Sequence, residues 1–133
     1  MEEARKFSSL FALPQGPRRP DAPGAAEYLE TFLSGSRVRV ERIVSWHHAT
    51  PQGEWYDQEE DEWCVVLEGR ARLSFEGGRG LALGRGESVF LPAHVRHRVE
   101  ATSAPCVWLA VFGRGLDLCS DPGGNLPEGA ANR

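Results

Sequence analysis

Glu62-Trp-Cys-Val-Val-Leu-Glu-Gly69 and Gly86-Glu-Ser-Val-Phe-Leu-Pro-Ala-His-Val-Arg-His97 are the two stretches whose reading decides the fold. Each carries a short apolar run bounded by glycine or proline, the mark of a strand that ends in a tight turn. Side chains alternate between the faces of a strand, so Glu62, Cys64 and Val66 share one face. If that face lines an interior, Glu62 is a buried carboxylate that must be paired, protonated or bound to a cation. His97, closing the second stretch, is the natural group to meet it.

The texture around these stretches is uniform. Segments rich in Val, Ile, Leu and aromatics cover 37–46, 62–68, 71–75, 80–83, 87–91, 96–101 and 106–112. Glycines or prolines separate most of them, as in Glu68-Gly69-Arg70, Gly77-Gly78, Gly84-Arg85-Gly86 and Thr102-Ser-Ala-Pro105. Many short strands without intervening helices predict an all-β sandwich or barrel. Upstream, Asp21 stands as an N-cap before Ala25, Tyr28, Leu29, Phe32 and Leu33 at helical spacing, with Gly35 as the stop, which predicts one short helix. Pro14, Pro17, Pro20 and Pro23 recur every third residue, as in an extended arm. The expected organisation is an arm and short helix over 1–36, a barrel over 37–118, and a flexible tail over 119–133 with almost nothing to bury.

Composition narrows the function. The 133 residues suffice for one core, and 41% hydrophobic with 26% charged residues is ordinary for a soluble globular protein. No apolar run approaches a bilayer span, and the N-terminus lacks a signal-peptide core, so the expected location is cytoplasmic with no membrane partner. A formal net charge of -4 argues against nucleic acid. Arg37, Arg39, Arg96 and Arg98 read as solvated strand faces among acids. Cys64, Cys106 and Cys119 form no CxxC, so neither a disulfide framework nor a zinc knuckle is indicated. Two clusters hold nearly all residues capable of chemistry: Trp46 to Trp63, with five carboxylates between Asp57 and Glu62, and Pro92 to Arg98.

Here the chain resembles the cupin superfamily. Glu62 to Gly69 is similar to the E(X)6G ending of the first cupin motif, and Gly86 to His97 is similar to the second motif, with His94 in its glycine place. The resemblance implies a double-stranded β-helix, a jelly-roll barrel. It also implies a site for a divalent metal, Fe, Mn, Ni or Zn, held by side chains with positions left open for substrate. The histidine pair of the first motif is absent: counting back from Glu62 gives Tyr56 and Gln58, or Trp55 and Asp57. What remains of the implied metal set is Gln58, Glu62 and His97, and the amide oxygen of Gln58 is a weaker donor than imidazole. His47, His48 and His94 are the nearby histidines that could add to it. A narrower likeness, to small bacterial cupins of uncharacterised function, rests on Trp55-Tyr-Asp-Gln58 and Pro92-Ala-His94. It sets Tyr56, Asp57, Gln58, Glu62 and His97 as a polar wall, with Trp46, Trp55 and Trp108 as apolar ones.

Three functions stay open at this point. The first is a metal-dependent oxygenase, isomerase or decarboxylase, with Gln58, Glu62 and His97 as ligands, Tyr56 or Asp57 as acid or base, and His48, Trp55 and His94 against the substrate. The second is a non-catalytic barrel that binds or senses a small molecule without metal. The third is a purely structural polar network. A homodimer through an edge strand or the N-terminal arm is the expected assembly.

Overall fold

The computed structural model describes residues 2–13 and 26–119. From Ala26 onward these form eight strands: β1 (Ala26–Ser34), β2 (Val38–Trp46), β3 (Asp61–Glu68), β4 (Ala71–Phe75), β5 (Gly80–Leu83), β6 (Ser88–Leu91), β7 (His97–Thr102) and β8 (Cys106–Gly113). They make two antiparallel sheets, one ordered β1-β2-β8-β3-β6 and the other β5-β4-β7. The two stretches that decided the fold lie side by side, with Glu62 opposite Leu91 and Val65 opposite Ser88 across β3 and β6. The barrel architecture expected from the strand texture is the one observed. Among the described residues there is no helix, and so none long and apolar enough to cross a membrane.

The expected short helix is corrected by the structure: its second half is strand β1, paired with β2 from Ala26 opposite Trp46 to Ser34 opposite Arg39. The misleading spacing has a physical source. The register shifts between Thr31 and Leu33. A bulge inserts one unpaired residue and inverts the alternation beyond it. Leu29 therefore faces the same way as Ile43, whereas Leu33 faces the way of Val40. Apolar residues at 28, 29, 32 and 33 then mimic a helical period. The proposed cap Asp21, the prolines from Pro14 to Pro23 and the tail from Ser120 lie outside the described residues.

Alternation along β2 sorts the rest. Val44 and Trp46 point outward and pack with Val107, Tyr28, Leu67 and Leu13 in an outer core covered by the N-terminal segment. Arg42, buried on the same face, donates to the carbonyls of Leu10 and Ala12 and pairs with Glu30 at 2.7 Å, which fastens that segment down. The inner core runs through Cys64, Val66, Leu73, Leu83, Leu91, Cys106, Trp108 and Phe112. The glycine ending the first stretch is obligatory. Gly69 has φ +88°, and a Cβ there would lie 2.3 Å from the Ser103 hydroxyl oxygen and 2.5 Å from the Pro105 carbonyl.

Candidate functional site

Between the two sheets lies a cavity of about 270 Å³. The register of the five-stranded sheet sets its walls in rows. Arg39 of β2 stands opposite Phe112 of β8, and Phe112 opposite Glu62 of β3, which faces Leu91 of β6. One step along, Glu41 faces Ala110 and Ala110 faces Cys64. Only a methyl group occupies the middle of that second row, so side-chain volume is missing there and the barrel stays hollow. Ile43, Leu73, Val99 and Trp108 add apolar wall. A surface depression of about 430 Å³ around Gly35 and Arg37 holds neither Glu62 nor His97.

Glu62 is 8% exposed, and burial pushes its carboxyl up to about 7, opposed by hydrogen bonds from Gln58 and Cys64. At neutral pH it is therefore divided between acid and carboxylate, the condition under which a group can both accept and return a proton. His97 is 4% exposed, and burial holds its pKa below the ordinary imidazole value. Its Nδ1 lies 2.9 Å from the Val95 carbonyl. A carbonyl only accepts, so Nδ1 carries the proton and Nε2 is the acceptor. Tyr56 stacks on His97 with ring centroids 5.5 Å apart, and burial raises its phenol, as does the charge of Glu27. Burial also lifts the thiols of Cys64, well above the ordinary value, and Cys106, to about 12. Neither thiol is a nucleophile at neutral pH.

The loop from His47 to Glu60 is held to β7 by main-chain geometry. Tyr56 and His97 exchange both backbone hydrogen bonds, and Thr50 does the same with Val99 through its N–H and its hydroxyl oxygen. Arg98, 7% exposed, donates to the carbonyls of Thr50, Pro51 and Glu54. The solvated reading of Arg98 is thus corrected: it is the post around which the loop is wound. Arg96, which remains exposed, pairs with Glu76 at 3.2 Å.

The predicted site residues separate into two groups. Tyr56, Gln58, Glu62 and His97 all line the cavity, as does Trp108. Asp57 and His94 meet each other at 2.8 Å on the exposed rim, where the His94 N–H also donates to the Gln58 carbonyl. His94 has φ +68°, so it fills the conformation of the motif glycine it replaces. His48 stands behind the wall, its Nε2 3.4 Å from a Glu27 carboxylate oxygen. Trp55 is half-buried and Trp46 belongs to the outer core, and neither is in the lining.

Sequence reasoning missed Glu27, Arg39 and Glu41, which line the cavity mouth. The signal was present: Arg39, Glu41, Ile43 and Ser45 occupy alternate positions of one strand, and the last two are apolar or small. The Arg39 guanidinium lies 4.3 Å from the centre of the Phe112 ring, donates to Glu41 at 3.0 Å, and pairs with Glu60.

Among the described residues no three His, Cys, Asp or Glu side chains converge on one point. Glu62 and His97 are two strong donors, and the Gln58 side chain is already engaged with Glu62. The residues present therefore do not fit the three- or four-donor cage of a divalent metal.

A family of cupin domains matches residues 43–112. No curated protein matches the chain significantly. Among solved structures, a Ralstonia eutropha JMP134 protein provisionally named a mannose-6-phosphate isomerase is 37% identical. That likeness covers 84% of this chain and 100% of that one, with a TM-score of 0.72. The KdgF protein of a Halomonas species is 16% identical over 77% of this chain and 92% of its own, with a TM-score of 0.58. A conserved Streptococcus pyogenes protein of unknown function is 13% identical over 87% and 93%, with a TM-score of 0.62. The latter two likenesses speak for the fold alone. With both motif strands paired, the two sheets enclosing a cavity and the match spanning more than half its length, this chain belongs to the cupin family.

Proposed function

We propose that the chain is a ligand-binding cupin that takes up one compact organic molecule in its barrel without a resident metal. The observation that carries this reading is a hollow interior of about 270 Å³ with apolar walls and two buried, titratable groups, Glu62 and His97, facing into it. Small-molecule sites combine these features: apolar surface for affinity and a few placed polar groups for orientation. Glu62 and His97 hold the ligand, and a Glu62 carboxyl near 7 is suited to proton exchange of the kind an isomerisation requires. The 37% identical Ralstonia protein carries an isomerase name, which is in keeping with such exchange. A phosphorylated sugar is a poorer match for this interior, because Arg39 is the one Lys or Arg among the lining residues and it is engaged with Glu41 and Glu60.

Benzyl alcohol, small enough for the cavity and uncharged, is a suitable probe. Titrated into isotope-labelled protein, it shifts the Trp108 indole and His97 ring resonances, and Ile43→Trp, which fills part of the wall, abolishes those shifts. Unmoved Trp108 and His97 resonances at millimolar probe would refute the reading.

A further inference from the structure

The formal charge facing the cavity is predominantly negative, beside the neutral polar groups of Ser45, Tyr56, Gln58 and Cys64. Glu27, Glu41 and Glu62 contribute three carboxyl groups, against the single guanidinium of Arg39. That guanidinium is shared between Glu41 and a fourth acid, Glu60, and its face is spent on the Phe112 ring. His97 adds a further acceptor. Its Nδ1 proton is committed to the Val95 carbonyl, and its Nε2 has no hydrogen-bond partner among the described residues. With 4% of the residue exposed, the cavity is where a partner for Nε2 can come from. Ile43, Leu73, Leu91, Val99 and Trp108 supply the apolar surface of the lining.

Building on the ligand-binding reading above, we infer that the ligand is an organic cation, an amine or amidine on a compact apolar body. Its charged head lies against Glu62 and His97 Nε2, with Glu41 adding negative charge from the next row of the wall, and its body lies against Ile43, Leu91 and Trp108. A cationic donor satisfies the free Nε2 and offsets the excess of carboxylates in one step, which neither a neutral alcohol nor an anion does. Burial, with the charge of Glu41, raises the Glu62 carboxyl to about 7 and raises Glu27 above its ordinary value, so cation binding is accompanied by proton release from Glu62.

Three probes of nearly equal shape separate the possibilities: benzylamine, cationic at neutral pH, benzyl alcohol and benzoate. Each is titrated at pH 7 while the Trp108 indole resonance is followed. The expected order is benzylamine tightest by about tenfold over benzyl alcohol, with benzoate weakest. Glu41→Gln is expected to weaken benzylamine several-fold more than benzyl alcohol, and the dispersion of its amide spectrum serves as the control that the variant is folded. Equal affinity for amine and alcohol, or tightest binding of benzoate, overturns the cation assignment and leaves the ligand-binding reading standing. No shift with any of the three overturns both.

Discussion

Tyr56 and His97 are joined twice over: each donates its backbone N–H to the other's carbonyl, at 2.7 and 3.1 Å, and their rings stack with centroids 5.5 Å apart. A loop residue and a strand residue thereby meet at the cavity wall as a pair, while the His97 ring itself is held by its Nδ1 bond to the Val95 carbonyl. The position of Tyr56 beside that ring is inherited from whatever holds the loop.

Arg98 is that support, and it acts through the fork of its guanidinium on the carbonyls of Thr50, Pro51 and Glu54. Arg98→Lys keeps the charge and loses the fork. It is expected to destabilise the fold by about 2 kcal/mol in chemical denaturation. Hydrogen exchange at the Thr50 and Tyr56 amides should quicken more than exchange at Cys64 or Trp108. Equal acceleration throughout would mean that Arg98 has no local role in the loop.

Two motif glycines differ in kind. Gly69 combines a positive φ with two backbone or hydroxyl oxygens in the place of a Cβ, whereas Gly86, at φ +82°, has nothing within 4 Å. Gly69→Ala is expected to cost about 3 kcal/mol or more, and Gly86→Ala about 1 kcal/mol, the conformational part alone. Equilibrium unfolding of the two variants side by side checks the order.

His94 occupies a glycine's conformation, and its ring makes one contact, with exposed Asp57. Exposed pairs contribute little. His94→Gly should therefore raise stability, by about 0.5–1 kcal/mol, because the left-handed strain relieved exceeds the entropy glycine adds to the unfolded chain. A lower melting temperature would show that the Asp57 pairing outweighs the strain.

Glu62 sets a pH dependence of known sign. Its folded pKa, about 7, lies above the ordinary 4.5, so the folded chain holds the proton more tightly than the unfolded one. The stability Glu62 contributes is complete below about pH 4.5 and is lost as pH rises through about 7. The groups that act on it are Gln58, Cys64, Glu41 and Arg39. His97 runs the other way: its lowered pKa removes stability as pH falls through its ordinary 6.5. Comparison with Glu62→Gln cancels the His97 part. Relative to that variant the wild type should lose about 3 kcal/mol between pH 4.5 and 8, read from denaturation midpoints. A flat difference would place Glu62 in contact with bulk water.

The strands were legible because turn residues bracket them and the inner face alternates cleanly, as Glu62, Cys64 and Val66 do. Parity put Glu62 on the face of Cys64 and Val66, so it had to be buried once that face lined the interior, as it does. β1 was not legible, because the shift between Thr31 and Leu33 breaks the period that would betray a strand. Arg39 and Glu41 were passed over for a different reason. Charged residues in a strand ordinarily face water, and only the pairing of β2 with β8, which are about 70 positions apart in sequence, turns them toward Phe112 and the cavity. Arg98 escaped for the same reason: its partners are three carbonyls of a distant loop, and carbonyls leave no mark in a sequence.

The central claim is that Glu62 and His97 serve an organic ligand in a barrel without a resident metal. Elemental analysis of protein expressed with supplemented iron, manganese, nickel and zinc tests it most directly. The account predicts less than about a tenth of an equivalent of any of them, with no change in Glu62→Gln or His97→Ala, because two strong donors do not hold a divalent ion through purification. Close to one equivalent in the wild type, lost in both variants, would contradict it.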